Sequence, residues 1–213
     1  MASESGATHG RGLFVTLDGP SGVGKTTVST LLGEQLASQG VPTLVTATPS
    51  PSSIGELARH GTHEFHGPSL TCLVAADRYH QANIMISPAV EQGTTVVCDR
   101  FVPSSLVLDP LDGIERGFVW DIYRKILVPD IAIVLMGDAS LCATRVANRG
   151  RFSRFHGSDY EDHRREREYF TEALAFLRGA GYPAHEYDIG RATAREVAAG
   201  LAHFILAIKD GRS

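Results

Sequence analysis

Leu13-Phe14-Val15-Thr16-Leu17-Asp18-Gly19-Pro20-Ser21-Gly22-Val23-Gly24-Lys25-Thr26-Thr27 decides the fold of this chain. Within it, Gly19 to Thr26 matches G-x-x-x-x-G-K-[ST], a phosphate-binding loop. The chemistry needs these residue types. Glycines let consecutive backbone N–H groups turn inward around an anion, and the helix that follows adds the positive end of its dipole. Lys25 suits terminal phosphates, and the Thr26 hydroxyl suits the Mg²⁺ that accompanies them. The flanks agree. Leu13 to Asp18 is a short apolar run of buried-strand character, and Val28, Leu31, Leu32 and Leu36 recur at helical spacing until Gly40. Strand, glycine loop and helix in this order mark a binder of a nucleoside triphosphate.

Outward from that unit the chain continues to alternate. Thr43–Ala47 reads as a second strand, followed by a Pro/Ser loop over Thr48–Ser53 and a short helix through Arg59. A long helix is expected from Pro68 to about Gln92, bent at Pro88. The third strand, Thr94–Cys98, ends directly on Asp99-Arg100. A helix near Gly113–Leu127, a strand over Ile131–Leu135 and a helix over Ala139–Asn148 come next. A loop over Gly150–Ser158 leads to an arginine-rich helix, Tyr160–Leu177. Ala184–Asp188 is a weak fifth strand, and Thr193 with Glu196 forms a capping box for a last helix reaching about Ile208. The expected fold is α/β: a five-stranded parallel sheet flanked by helices in three layers. One domain over residues 12–210 is expected after a disordered tail of residues 1–11. Ligands of such sheets sit beyond the carboxyl ends of the strands.

Composition narrows the function classes. The chain has 213 residues, 43% hydrophobic and 21% charged, with a net charge of −4. That charge argues against nucleic-acid or membrane-surface binding, and no apolar run approaches the roughly 20 residues of a bilayer span. Cys72, Cys98 and Cys142 read as reduced core thiols of a cytoplasmic protein. Arginine outnumbers lysine 17 to 3, and seven arginines fall between Arg145 and Arg167. The spacing allows either a solvated helix face or a mobile basic flap. His60, His63 and His66 recur every third residue but read as solvated loop histidines, because glycines interrupt the segment.

Two places carry further chemistry. Asp99, after an apolar strand, can hold Mg²⁺ or orient an acceptor, and Arg100 beside it can fork onto phosphate. On the long helix, Asp77, Arg78 and Gln81 interrupt the apolar stripe of Leu70, Leu73, Val74 and Met85. Buried charge is costly unless paired or facing a ligand. Asp77 therefore either makes an internal salt bridge to another arginine, or the interruption marks a substrate-contacting Arg78.

This ordered set resembles the thymidylate kinase family of nucleoside monophosphate kinases. The pieces are Gly19–Thr27, Ala75-Ala76-Asp77-Arg78, Asp99-Arg100-Phe101 with Ser104-Ser105, Pro129-Asp130, and Arg145, Arg149 and Gly150 leading towards Arg167–Phe170. The resemblance implies ATP and Mg²⁺ as cofactors, with Gly19, Pro20, Ser21, Gly22, Val23, Gly24, Lys25, Thr26, Thr27, Arg145 and Arg191 around ATP. It places Thr26 and Asp99 at the metal, and the acceptor on Pro49, Arg78, Arg100, Ser104, Ser105 and Asp109. It implies a lid near residues 149–160 whose Arg149, Arg151 and Arg154 supply transition-state charge beside Lys25, Asp99 and Arg100. It also implies a homodimer, and the adenine near Asp188–Arg191. The chain departs from the family on the acceptor side. Thr46-Ala47-Thr48-Pro49 stands where Thr-Arg-Glu-Pro is usual, Ser21 replaces an acidic loop residue, and Leu108-Asp109 replaces Tyr-Gln. The expected acceptor is thymidine monophosphate or a modified pyrimidine nucleotide; with Asp109 favouring a donor-rich base, thymidine monophosphate is expected to be a poor substrate, or at least not uniquely preferred. A nucleoside or small-metabolite kinase on the same fold, and a nucleotide-dependent switch, are the alternatives.

Overall fold

In the computed structural model, residues 10–149, 155 and 159–211 are described, the side chains of Arg149 and Asp210 apart. Five strands form one parallel sheet: β1 (Phe14–Asp18), β2 (Thr43–Ala47), β3 (Thr95–Asp99), β4 (Ile131–Met136) and β5 (Ala184–Asp188), in the order β2-β3-β1-β4-β5. β1 lies at the centre. It pairs with β3 from Phe14↔Val96 to Leu17↔Asp99 and with β4 from Val15↔Ile131 to Asp18↔Val134. That register sets Asp99 opposite Leu17 and brings Asp99 and Asp18, one position apart, to the carboxyl end of the sheet.

Alternation along the strands splits the core into two layers. Leu13, Val15 and Leu17, with Val97, Ile131, Ile133 and Leu135, face α1 (Lys25–Ser38) and α9 (Ala194–Asp210). Phe14, Val96, Cys98, Ala132, Val134 and Met136 face the other way. They meet α3 (Pro68–Gln81), α4 (Ser87–Glu91), α5 (Val102–Leu111), α6 (Arg116–Tyr123) and α8 (Tyr160–Gly179). Two more helices, α2 (Ser53–His60) and α7 (Ala139–Arg149), flank the loops at the carboxyl edge. Burying a large apolar side chain such as Phe14 or Leu32 contributes about 1.5–3 kcal/mol, so this two-sided core holds the sheet edge rigidly.

The structure corrects several expectations. The long helix is not continuous: α3 stops at Gln81 and a π-helical segment, Ala82–Ile86, precedes α4. Pro88 lacks the N–H that an α-helix would need there, and the wider turn absorbs the mismatch. A helix absent from the sequence reading, α5, begins immediately after Phe101. Pro103 occupies its first turn, where no N–H is required. Pro110 frees the Leu106 carbonyl, which instead accepts from Arg116 Nε at 3.3 Å. Asp99 is the last residue of β3 and does not follow it. Cys72 is exposed, while Cys98 and Cys142 are buried. His60 closes α2 and His63 lies in a 3₁₀ turn, so neither is on a loop. Of the expected tail over residues 1–11, Arg11 pairs with Asp130 at 2.9 Å, while residues 1–9 and most of the 149–160 segment lie outside the described residues.

Candidate active site

The loop between β1 and α1 needs its glycines for space. A Cβ on Gly19, at φ +140°, would sit 2.3 Å from the Leu135 carbonyl oxygen, and one on Gly22, at φ +81°, would sit 2.4 Å from that of Cys142. No side chain caps α1, whose N-cap is Gly24, so its first N–H groups point into the loop. Lys25 Nζ folds back and donates to Gly19 O at 2.7 Å and Pro20 O at 2.9 Å. It is only 5% exposed. Burial, reinforced by the Arg100 charge, lowers its pKa from 10.5 to about 7, against the opposing pull of Asp99, Glu166 and Asp18.

Thr26 Oγ1 donates to Asp99 Oδ2 at 2.6 Å, which joins the loop to the end of β3. Asp99 Oδ1 is buried without a hydrogen-bond partner among the described residues. An orphaned carboxylate oxygen beside a hydroxyl is the hard-oxygen pair that Mg²⁺ takes. Among the described residues no group of three or more His, Cys, Asp or Glu could hold a metal ion. The pair therefore fits a cation whose remaining ligands come from water and phosphate.

Arg100 and Arg78 converge on this edge through Thr48. The Thr48 hydroxyl donates to Arg100 O at 2.8 Å and accepts from Arg78 Nε at 3.2 Å. Arg100 adopts φ +69°, a conformation that costs an L-residue about 1 kcal/mol. Its Nη1 is buried with no partner among the described residues. Arg78, on α3, is 3% exposed and donates from Nη1 to Ser105 Oγ at 2.6 Å and Tyr123 Oη at 2.8 Å. Asp77 makes no salt bridge among the described residues. Its carboxylate accepts from Ser50 N at 2.7 Å, from Ser50 Oγ, and from Ser52 Oγ at 3.0 Å, fastening the loop that carries Thr48 and Pro49.

The other expected site residues separate into groups. Ser104 is fully buried, and its N–H and hydroxyl both donate to Asp18 Oδ1, at 2.9 and 2.6 Å. Asp109 accepts from Thr71 Oγ1 at 2.7 Å, and burial raises its carboxyl pKa. That contact ties α5 to α3, which removes the ground for expecting Asp109 to select a donor-rich base. Pro49 O accepts from Arg59. Arg145 lies against the loop, with Nη1 3.4 Å from Val23 O. Arg191 is exposed in the turn after β5. That turn abuts the loop, because a Cβ on Gly137 would lie 3.2 Å from both Ile189 Cδ1 and Val23 Cγ2. The Arg149 side chain, Arg151 and Arg154 lie outside the described residues.

Sequence reasoning missed Asp18, Thr48, Tyr123 and Glu166. Asp18 ends β1, on the same face as Phe14, and accepts from the N–H groups of Phe101 and Ser104 at 2.9 Å each. Glu166, on α8, accepts from Ser21 N at 3.0 Å with each carboxylate oxygen, and from Ser21 Oγ at 3.1 Å. The Asp18-Gly19 pair was the one available signal. Nothing local marks Glu166.

A phosphate loop, a hydroxyl–carboxylate pair and two arginines on one sheet edge are parts of a phosphoryl-transfer site. The thymidylate kinase family profile matches residues 17–179, which include every part just described up to α8. The chain belongs to the thymidylate kinase family. Thymidylate kinase of Deinococcus radiodurans is 33% identical over 173 residues, 76% of this chain and 82% of that one. That of Clavibacter sepedonicus is 34% identical over 176 residues, covering 77% and 82%. The solved structure of thymidylate kinase from Candida albicans superposes with a TM-score of 0.72 over 93% of both chains, at 17% identity. The family is one of nucleoside monophosphate kinases, so this chain is a P-loop phosphotransferase of that class. The hydroxyl of Thr48, the residue after β2, links Arg78 and the Arg100 backbone.

Proposed function

We propose that this protein transfers the γ-phosphoryl group of ATP to the phosphate of thymidine monophosphate. The observation that carries the reading is the Thr48 bridge. It fixes Arg78, on the acceptor side, to Arg100, whose neighbour Asp99 is bonded to Thr26 of the phosphate loop. Donor and acceptor halves thus share one hydrogen-bonded frame, which suits a reaction that depends on positioning and charge.

In this reading the loop N–H groups and Lys25 take the ATP phosphates, while Arg145 and the 188–191 turn lie on the nucleoside side. Thr26 and Asp99 would hold Mg²⁺, which would supply charge neutralisation for the phosphates. Arg100 offers its free donors to the acceptor phosphate. Arg78, held by Ser105 and Tyr123, faces the acceptor nucleotide. Arg149, Arg151 and Arg154 add charge at the transition state, a role worth roughly 10³–10⁵ in rate for arginines in related transfers. A homodimer and a cytoplasmic location accord with the family. Among the described residues no helix is long and apolar enough to cross a membrane.

A coupled ADP-release assay across nucleoside monophosphates and nucleosides tests the reading. Thymidine monophosphate is expected to give the highest specificity constant. Release that is absent with it, or greater with a nucleoside, overturns the acceptor assignment. Slow acceptor-independent hydrolysis alone overturns the kinase assignment in favour of a switch.

A further inference from the structure

The contact between Ser21 and Glu166 has no part in the proposed transfer as described so far. Ser21 is 2% and Glu166 3% exposed, so both belong to the interior. Placing a carboxylate there is costly unless hydrogen bonds or a cation satisfy it. Among the described residues Glu166 has no arginine or lysine partner. The ring of His163 stands one turn earlier on α8, but its Nδ1 is 4.0 Å from Oε2, too far to hydrogen-bond, and it has no partner of its own there. What satisfies Glu166 is the phosphate loop: two oxygens on the Ser21 N–H and one on its hydroxyl.

Glu166 reaches Ser21 from α8, 145 positions away. Ser21 lies in the first half of the loop, next to Gly19 and Pro20, whose carbonyls hold Lys25. Glu166 is one of three carboxylates, with Asp99 and Asp18, that favour the charged form of Lys25.

We propose that Glu166 is a positioning residue for the phosphoryl donor, fixing the first half of the phosphate loop through the N–H and hydroxyl of Ser21. With these bonds in place the loop reaches nucleotide already shaped. Without them, binding has to order it. The direction of the rate change rests on the kinase reading, but nucleotide affinity tests the proposal separately.

The experiment measures MgADP affinity by titration calorimetry, together with kcat and KM for ATP and thymidine monophosphate. The variants are Glu166→Ala, Glu166→Gln, Ser21→Ala and the double Ser21→Ala/Glu166→Ala. A charge-assisted bond of this kind corresponds to about a ten- to hundredfold effect, so Glu166→Ala is expected to weaken MgADP by that factor. KM for thymidine monophosphate should stay within about twofold, an uncoupled effect that general unfolding does not give. Glu166→Gln retains an acceptor for the Ser21 N–H and a donor for its hydroxyl, and should restore most of the affinity. Ser21→Ala should act in the wild type and have no further effect in Glu166→Ala. Unchanged or tighter MgADP binding in Glu166→Ala would show that the carboxylate only fills space or competes with phosphate, and overturns the proposal. So does simple additivity of the two substitutions, or a fall in melting temperature with affinity unchanged. If Glu166→Ala does not fold, Glu166→Leu keeps the bulk and removes the acceptor, and its cycle with Ser21→Ala takes the place of the first; additivity there also overturns the proposal.

Discussion

Lys25 allows the phosphate chemistry to be tested by counting protons. Burial, with help from Arg100, lowers its pKa from 10.5 to about 7, which corresponds to about 5 kcal/mol held against the charged form. Phosphate beside Nζ acts in the opposite direction and restores the ammonium, so binding should draw a proton from solution. A group of pKa about 7 is protonated in about a tenth of molecules at pH 8 and in about nine-tenths at pH 6. MgADP should therefore take up about 0.9 proton through Lys25 at pH 8 and about 0.1 at pH 6. Calorimetry in buffers of different ionisation enthalpy reads this number directly. Lys25→Met keeps the length of the side chain and removes the amine, so the difference between the two proteins excludes protons exchanged by the nucleotide. Stability supplies a second reading with its own sign. Between about pH 7 and 10.5 the unfolded chain holds the Lys25 proton and the native protein does not, so native stability rises with pH across that window. Relative to wild type, Lys25→Met should be more stable at pH 7, by at most about 5 kcal/mol, and the gap should narrow by pH 9. Equal proton uptake by the two proteins at pH 8, or a gap that widens from pH 7 to 9, refutes the burial argument.

Two further substitutions separate stability from function. Arg100→Gly should raise stability to urea by about 1 kcal/mol, because glycine accepts φ +69° without strain, while kcat/KM for thymidine monophosphate falls at least about a hundredfold with the lost phosphate contact. A parallel loss of stability would mean that the guanidinium supports the fold. Asp77→Asn should weaken the hold on Ser50 and Ser52 and lower stability by about 1–3 kcal/mol. It should raise KM for the acceptor and leave MgADP affinity in place; a matching loss of MgADP affinity would show that the 48–53 loop also shapes the donor side.

The donor half was legible because its signals are local. The strand, glycines, Lys25 and Thr26 lie within 15 consecutive residues, and periodicity gave both flanks. The sheet was legible for the same reason, since unbroken apolar runs such as Ile131–Leu135 need no distant partner to be read as strands. α5 was not. Its N-cap position is Phe101, which offers no capping side chain, and the missing acceptor is Asp18 at the end of β1. Pro110 argued against a helix, and the group that takes the freed carbonyl is Arg116, outside the helix. Asp77 and Arg78 were visible as charges on an apolar stripe, but not their partners. The serines that satisfy Asp77 and the tyrosine that holds Arg78 lie on other elements, 25 to 45 positions away. Glu166 was hidden most completely: in an arginine-rich helix one more glutamate reads as part of a solvated face.

These partners explain how a site with so many charges remains receptive to phosphate. Asp18, Asp77, Asp99 and Glu166 are buried near the carboxyl edge of the sheet, and Lys25, Arg78 and Arg100 stand among them. Opposite charges at such distances would ordinarily pair, and paired cations have little left to offer an anion. Here each carboxylate is bonded elsewhere through at least one oxygen, while Asp18 Oδ2 and Asp99 Oδ1 have no hydrogen-bond partner among the described residues. Asp18 takes the N–H groups of Phe101 and Ser104 and the Ser104 hydroxyl; Asp77 takes Ser50 and Ser52. Asp99 takes the Thr26 hydroxyl, and Glu166 takes Ser21. Lys25 bonds to carbonyls, Arg78 to hydroxyls, and Arg100 keeps an unpaired donor. Asp18, Asp77 and Glu166 thus each fix a piece of backbone and Asp99 holds the Thr26 hydroxyl, and among the described residues none of the four forms a salt bridge with Lys25, Arg78 or Arg100. The positive charges keep their attraction for an incoming phosphate in a place where water is scarce and the attraction is strong. The serine and threonine hydroxyls keep the two sets of charge apart: Ser21, Ser50, Ser52 and Ser104 on the carboxylates, Thr48 and Ser105 on the arginines. Replacing such a hydroxyl removes more than one hydrogen bond, because it leaves a buried carboxylate with a cation as its best remaining partner.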